Sequence, residues 1–133
     1  MFTIHNPANV MPLVGPLSWG MEACQPKRIL CISGQVGCHS DGRVADGVVE
    51  QAKLAWRNVG AILKSAGMGP PNIIRTGLYF TERVQWSEAL RREFNESRIE
   101  FLGDHRPAST LLFVKALMDP AWLIEIDAIA VET

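Results

Sequence analysis

Trp122-Leu123-Ile124-Glu125-Ile126-Asp127-Ala128-Ile129-Ala130-Val131 reads as a strand that is apolar on both faces. Side chains alternate across a strand with a period of two. Ile124, Ile126 and Ala128 therefore share one face, and Leu123, Ile129 and Val131 the other. Glu125 and Asp127 sit on that second face, two carboxylates in apolar company. The run Thr110–Ala116 behaves the same way, with Thr110, Leu112 and Val114 alternating with Leu111, Phe113 and the stem of Lys115. Strands of this kind need cover on both sides.

Working outward, Ile73–Phe80 reads as a further strand, and Leu17–Ala23 and Arg28–Ser33 as two short ones joined around Cys24-Gln25-Pro26-Lys27. Residues 1–16 are rich in Pro, Asn and Gly and read as an N-terminal arm. Gly34, Gly37, Gly42 and Gly47 mark a long irregular connection. Val48–Ala66 places Ala52, Ala55, Trp56, Val59, Ile62, Leu63 and Ala66 on one helical face, with Asp46 as the expected cap and Gly67 as the stop. Trp86–Phe101 predicts a second amphipathic helix with Trp86, Ala89, Leu90, Phe94 and Phe101 inward, ended by Gly103. The order is β-β-α-β-α-β-β, a single α/β domain over residues 1–133. Two helices cover one face of such a sheet. The other face is apolar and uncovered by its own chain, so a second copy of the chain is expected to cover it.

Composition sets bounds on function. The chain has 133 residues, 47% of them apolar and 20% charged, with a net charge of −1. That is a globular composition with no global field to draw it to nucleic acid or to an anionic membrane. No apolar run approaches the roughly 18 residues of a membrane span. The N-terminus has neither a basic n-region nor an apolar h-region, so a cytoplasmic protein is expected. Cys24, Cys31 and Cys38 include no CxxC pair and read as reduced thiols. Cys38 and His39 are adjacent and lack a second ligand pair, so no metal site is expected.

Several motifs line up over nearly the whole chain: Gly15-Pro16-Leu17-Ser18, Ser33-Gly34-Gln35, Glu50-Gln51, Asn58-Val59-Gly60-Ala61-Ile62-Leu63, Ala66-Gly67, Asn95-Glu96, Gly103-Asp104-His105-Arg106-Pro107-Ala108 and Ile124–Ala130. Their order and spacing resemble the RidA/YjgF family. The resemblance implies a chorismate-mutase-like fold, with two helices on one face of the sheet, and a homotrimer whose three sheets pack around a central barrel. It implies ligand clefts between subunits, and hydrolysis of reactive enamines and imines, such as 2-aminoacrylate, to the keto acid and ammonia. It implies no metal and no organic cofactor.

The family cleft maps onto four places here. Leu17 stands where the family has Tyr, and Ser109 where it has the Arg that binds a substrate carboxylate. Ser33, followed by Gly34, is retained, and so is Glu125, which positions the attacking water in the family. A guanidinium fork holds a carboxylate bidentately, whereas serine offers one hydroxyl and no charge. Without another cation the loss should be about 2–5 kcal/mol for a carboxylate ligand. Trp19 shares the face of Leu17, so that wall becomes more apolar. These changes predict a less anionic, more hydrophobic ligand and weak or absent 2-aminoacrylate activity.

Arg98, Arg75 and Arg106 are the candidate replacement cations; the structural alternative for each is a surface or interface ion pair, and Arg106 is expected to point to solvent or a neighbouring subunit. His105 reads as a turn-stabilising residue. Glu125 is either the carboxylate that orients water or a structural acceptor at a subunit boundary. The Gly34-Gln35-Val36-Gly37 backbone is a source of donors for developing charge. Ser33 has no His/Asp arrangement to activate it as a nucleophile. Trp56 and Trp86 read as core. Arg83, Arg91, Arg92 and Arg98 alternate with glutamates, which reads as a solvated mixed face and not as an RNA-binding helix, although some family members are named endoribonucleases. The expectation is a small-molecule hydrolase acting on an enamine, an imine or a related conjugated substrate; the alternative is a non-catalytic ligand-binding or regulatory trimer on the same scaffold.

Overall fold

In the computed structural model, which describes residues 2–133, the elements are β1 (Phe2–His5), β2 (Gly20–Ala23), β3 (Arg28–Val36), α1 (Val48–Ser65), β4 (Ile73–Thr81), α2 (Glu88–Leu102), β5 (Ala108–Val114) and β6 (Ile124–Glu132). The strand read first, β6, lies inside a four-stranded sheet of order β3-β6-β4-β5. It runs antiparallel to β3 and β4, while β4 and β5 are parallel and α2 forms the crossover between them. A separate antiparallel ribbon joins β1 to β2, with Phe2 opposite Ala23 and His5 opposite Gly20. The segment read as an arm therefore begins as a strand, one too short to leave a periodic signal. β2 starts at Gly20, not at Leu17, and β5 starts at Ala108, two residues before the expected Thr110, which brings Ser109 into the sheet beside Thr76.

Both helices lie against one sheet face. Ile124, Ile126, Ala128 and Ala130 of β6, with Leu78 and Phe80 of β4, pack against Ala52, Ala55, Trp56, Val59 and Leu63 of α1 and Phe94 and Leu102 of α2. Full burial of each large side chain stabilises by about 1.5–3 kcal/mol, so this face carries the fold. α1 closes on Gly67 (φ 71°): Gly67 N–H donates to Lys64 O (3.0 Å) and Met68 N–H to Leu63 O (2.9 Å), the paired bonds of a Schellman turn. At its other end the cap is Gly47 and not Asp46, which lies one residue outside the turn; no side chain caps this helix.

α2 differs from expectation at its start. Ser87 is the N-cap, its hydroxyl accepting from Leu90 N–H at 3.1 Å. Trp86 is thereby left outside the helix, and 37% of it is exposed. It still packs edge-on against Phe80 and Phe113, with ring centroids 5.1 and 5.3 Å away. Ala89 is exposed as well. The buried stripe is Phe94, Ser97, Arg98 and Leu102, rotated from the one expected and still spaced at three and four.

Among the described residues no helix lies on the opposite sheet face. Glu125 pairs with Tyr79, Asp127 with Gly77 and Ile129 with Arg75 in the register of this face. Apolar side chains stand exposed toward its two edges, Ile29 (64%) on β3 and Leu112 (47%) on β5. No helix among the described residues is long and apolar enough to cross a membrane.

Candidate functional site

The segment before β2 runs beside the start of β5. Ser18 N–H donates to Pro107 O (3.3 Å), its hydroxyl donates to Arg106 O (2.5 Å), and Ser18 bridges to Ala108. This docking carries Leu17 and Trp19 to the edge of the sheet. Trp19 is held from both ends: its backbone N–H donates to Asn6 Oδ1 and its indole Nε1–H to Met11 O, each at 2.8 Å. Leu17, Trp19, Ser109 and Arg98 line a single cavity of about 500 Å3, together with Trp86 and Asn95. Ser109 lies on the helix-covered face, where Thr76 Oγ1–H donates to its oxygen at 2.8 Å. That arrangement leaves the Ser109 proton available to an acceptor in the cavity.

Arg98 is only 3% exposed, and its Nε and Nη2 are buried without a hydrogen-bond partner. It does not lie on a solvated mixed face. Burial pushes its pKa down to about 10, with the like charge of Arg106 adding to the effect, so it remains a cation at neutral pH. The other two candidate cations are engaged elsewhere. Arg75 stands on the open sheet face, 3.6 Å from Asp127 Oδ1. Arg106 donates to the carbonyls of Gly103 (2.5 Å) and His105 (3.0 Å) within its own loop. Of the three, Arg98 alone lines the cavity that contains Ser109. His105 ties the same loop to β4, its Nε2 lying 2.6 Å from Ile73 O.

Glu125 is on the opposite face. Its carboxylate lies over the α-carbon of Gly34, in the β3 bulge between Ile32 and Gln35 that also contains Ser33. A Cβ on Gly34 would fall 2.5 Å from Glu125 Cδ and 2.8 Å from Cγ, so any other residue there would push the Glu125 carboxylate from its seat. Glu125 and Asp127 share this face as the two-residue period requires. Asp127 accepts from Tyr79 O–H at 2.9 Å, and this bond, ahead of burial, raises the Tyr79 pKa. The Glu125 carboxylate has neither a hydrogen bond nor an ion pair among the described residues. Burial first, and then the charge of Asp127, raise its carboxyl above the ordinary glutamate value.

The expected site residues thus fall into two sets. Leu17, Trp19, Ser109 and Arg98 meet in the cavity; Gly34 and Glu125 meet on the open face of the same sheet, with Ser33 beside Gly34 in the β3 bulge. Asn95 and Trp86 were absent from the expected set. Asn95 lies in a quoted motif, three residues before Arg98 on the same helical side, and Trp86 is freed by the Ser87 cap. Among the described residues no group of three or more His, Cys, Asp or Glu side chains is arranged to hold a metal.

A family model described as Endoribonuclease L-PSP matches residues 14–132. The chain belongs to this family, the RidA/YjgF family. It is 36% identical over 121 residues to 2-iminobutanoate/2-iminopropanoate deaminase of Mus musculus, covering 90% of this chain and 83% of that protein. It is 33% identical over 135 residues to a RutC family protein of Aquifex aeolicus, covering 99% and 100%. The Rid-family protein YyfB from Yersinia pestis superposes with a TM-score of 0.85 at 27% identity, covering 98% of both chains. In this RidA/YjgF protein Glu125 stands on the open face, and Leu17 and Ser109 line the same cavity.

Proposed function

We propose that this protein is a homotrimeric deaminase that hydrolyses an imine or enamine in clefts between subunits. Each cleft would join the cavity of one subunit to the open face of the next, which accounts for the two sets of residues on opposite sides of one sheet. The observation that carries this reading is the Glu125 carboxylate: partly buried, unpaired, raised in pKa and seated over Gly34 on the uncovered face. A carboxylate so placed accepts a proton from water as the water adds to the carbon of a C=N bond. The carboxyl passes that proton to the nitrogen, and the carbinolamine, its hydroxyl proton transferred to the amine, expels ammonia and leaves a ketone. The relatives named 2-iminobutanoate/2-iminopropanoate deaminase support the same chemistry. A three-carbon substrate such as 2-aminoacrylate fills little of a cavity of about 500 Å3, so its turnover should be weak.

The test is ammonia release from imines generated in situ by an amino-acid oxidase, with sedimentation analysis of the same protein. Glu125→Ala should abolish turnover and leave a trimer of unchanged mass. A monomer in solution, or undiminished turnover in this variant, overturns the proposal. Ligand binding with no turnover in either protein favours a non-catalytic binding trimer.

A further inference from the structure

A guanidinium in the buried stripe of a helix is costly unless an acceptor meets it. Arg98 has Phe94 one turn before it and Leu102 one turn after, both buried. The charged groups nearby do not neutralise it. Arg106, on the loop before β5, is a second cation spending its hydrogens on backbone carbonyls. Arg91, on the preceding turns of α2, also lines the cavity, and it is paired with Glu88 at 2.6 Å. The two unpartnered atoms, Nε and Nη2, form one edge of the guanidinium, and that edge matches both oxygens of a carboxylate. The hydroxyl of Ser109, its oxygen already accepting from Thr76, is a further donor in the cavity that Arg98 lines.

Much of the remaining wall is apolar, and its two indoles are held in place. Trp19 is fixed by Met11 O, and Trp86 is wedged against Phe80 and Phe113. Leu17, Leu111 and Val14 add apolar surface, and Asn95 and Arg91 are the remaining polar side chains of the lining. Two indoles beside a buried cation suit a ligand with one anionic end and a large flat or branched apolar end.

We propose that Arg98 anchors the substrate carboxylate, in place of a strand residue at position 109, and that the cavity selects α-imino acids with an aromatic or bulky apolar side chain. The proposal rests on the deaminase reading of this cleft and names its substrate class. The reaction is R–C(=NH)–COO⁻ plus water giving R–CO–COO⁻ plus ammonia. The carboxylate stays on Arg98 throughout and R stays against Trp19 and Trp86.

The keto-acid product is stable and serves as the probe. Calorimetry on the intact oligomer compares phenylpyruvate, pyruvate and the uncharged ketone phenylacetone, using wild type and Arg98→Met. Wild type should bind phenylpyruvate at least about tenfold more tightly than either of the others, one missing contact's worth. Arg98→Met should lose about 30-fold or more for phenylpyruvate and leave phenylacetone unchanged. Replacing an unpaired buried cation by a similarly sized apolar group should also hold or raise the melting temperature. Equal binding of phenylpyruvate and pyruvate by wild type overturns the proposal, and so does undiminished phenylpyruvate binding by Arg98→Met. If Arg98 serves only a neighbouring subunit's carboxylate, Arg98→Met weakens the oligomer while phenylpyruvate binding persists, which again overturns it. Arg98-dependent binding without ammonia release from 2-imino-3-phenylpropanoate would sink the deaminase reading and leave only the Arg98 carboxylate anchor standing; release with KM unchanged by Arg98→Met would do the reverse.

Discussion

Replacing Gly34 with alanine tests whether the position of the Glu125 carboxylate matters to chemistry. The added methyl carbon would sit 2.5 Å from Cδ and 2.8 Å from Cγ of Glu125. Carbon atoms pack no closer than about 3.5 Å without strain, so the carboxylate must retreat by about 1 Å. The side chain is only partly buried and free to swing, so the overpacking cost should fall near the low end of the range, about 1 kcal/mol. The catalytic cost is larger: a displacement of about 1 Å in a positioned group lowers the rate by about 100-fold. The expected result is a folded oligomer whose melting temperature falls by a few degrees, whose kcat falls by about two orders of magnitude, and whose affinity for a keto-acid product is nearly unchanged. Steady-state ammonia release and thermal unfolding, run together, make the measurement. A Gly34→Ala protein with wild-type kcat would refute the claim that Glu125 works from its seat on Gly34. Collapse of the fold with no soluble oligomer would refute the claim that the side chain has room to move.

Two further outcomes follow from features far apart in the chain. Asp127→Asn removes the negative charge that, after burial, holds the Glu125 carboxyl high, so the Glu125 pKa should fall. The ionised form is the one that accepts the proton, so the acid limb of kcat/KM should move to lower pH; a limb that stays put or moves up contradicts the assignment. Gly67→Ala places a side chain at φ 71° in the turn that closes α1 and should cost about 1 kcal/mol in thermal unfolding, with Gly67→Asn costing less. Equal stability of all three proteins at this position would contradict the role given to that turn.

Much of this architecture is legible in the chain itself, because strand and helix periods differ. The alternation in β6 already places Glu125 and Asp127 on one face and Ile124 and Ile126 on the other. The apolar stripe of α1 is found almost as expected, from Ala52 to Leu63. What escapes is settled by short-range chemistry or by long-range register. A four-residue strand such as β1 has no period to detect, and its partner lies some twenty residues away. The hydroxyl of Ser87 fixes where α2 begins and so decides that Trp86 lines a cavity instead of filling the core. Arg98 is the instructive case. Its glutamate neighbours suggest a solvated face, yet it follows Phe94 by four residues and precedes Leu102 by four, and those intervals place it inward. The division of Ser109 and Glu125 between two faces needs the pairing of β5 with β4 and β4 with β6, which no local pattern encodes.

That division has a genetic consequence. In the proposed trimer each protomer would contribute its Arg98 wall to one cleft and its Glu125 seat to another, so two impaired alleles with lesions in different halves would complement when co-expressed. Random mixing in a cyclic trimer would pair an intact wall with an intact seat in about a quarter of the clefts. Two lesions in the same half would restore nothing. A cross between Arg98→Met and Glu125→Ala would therefore recover activity at substrate concentrations too low for either parent to turn over.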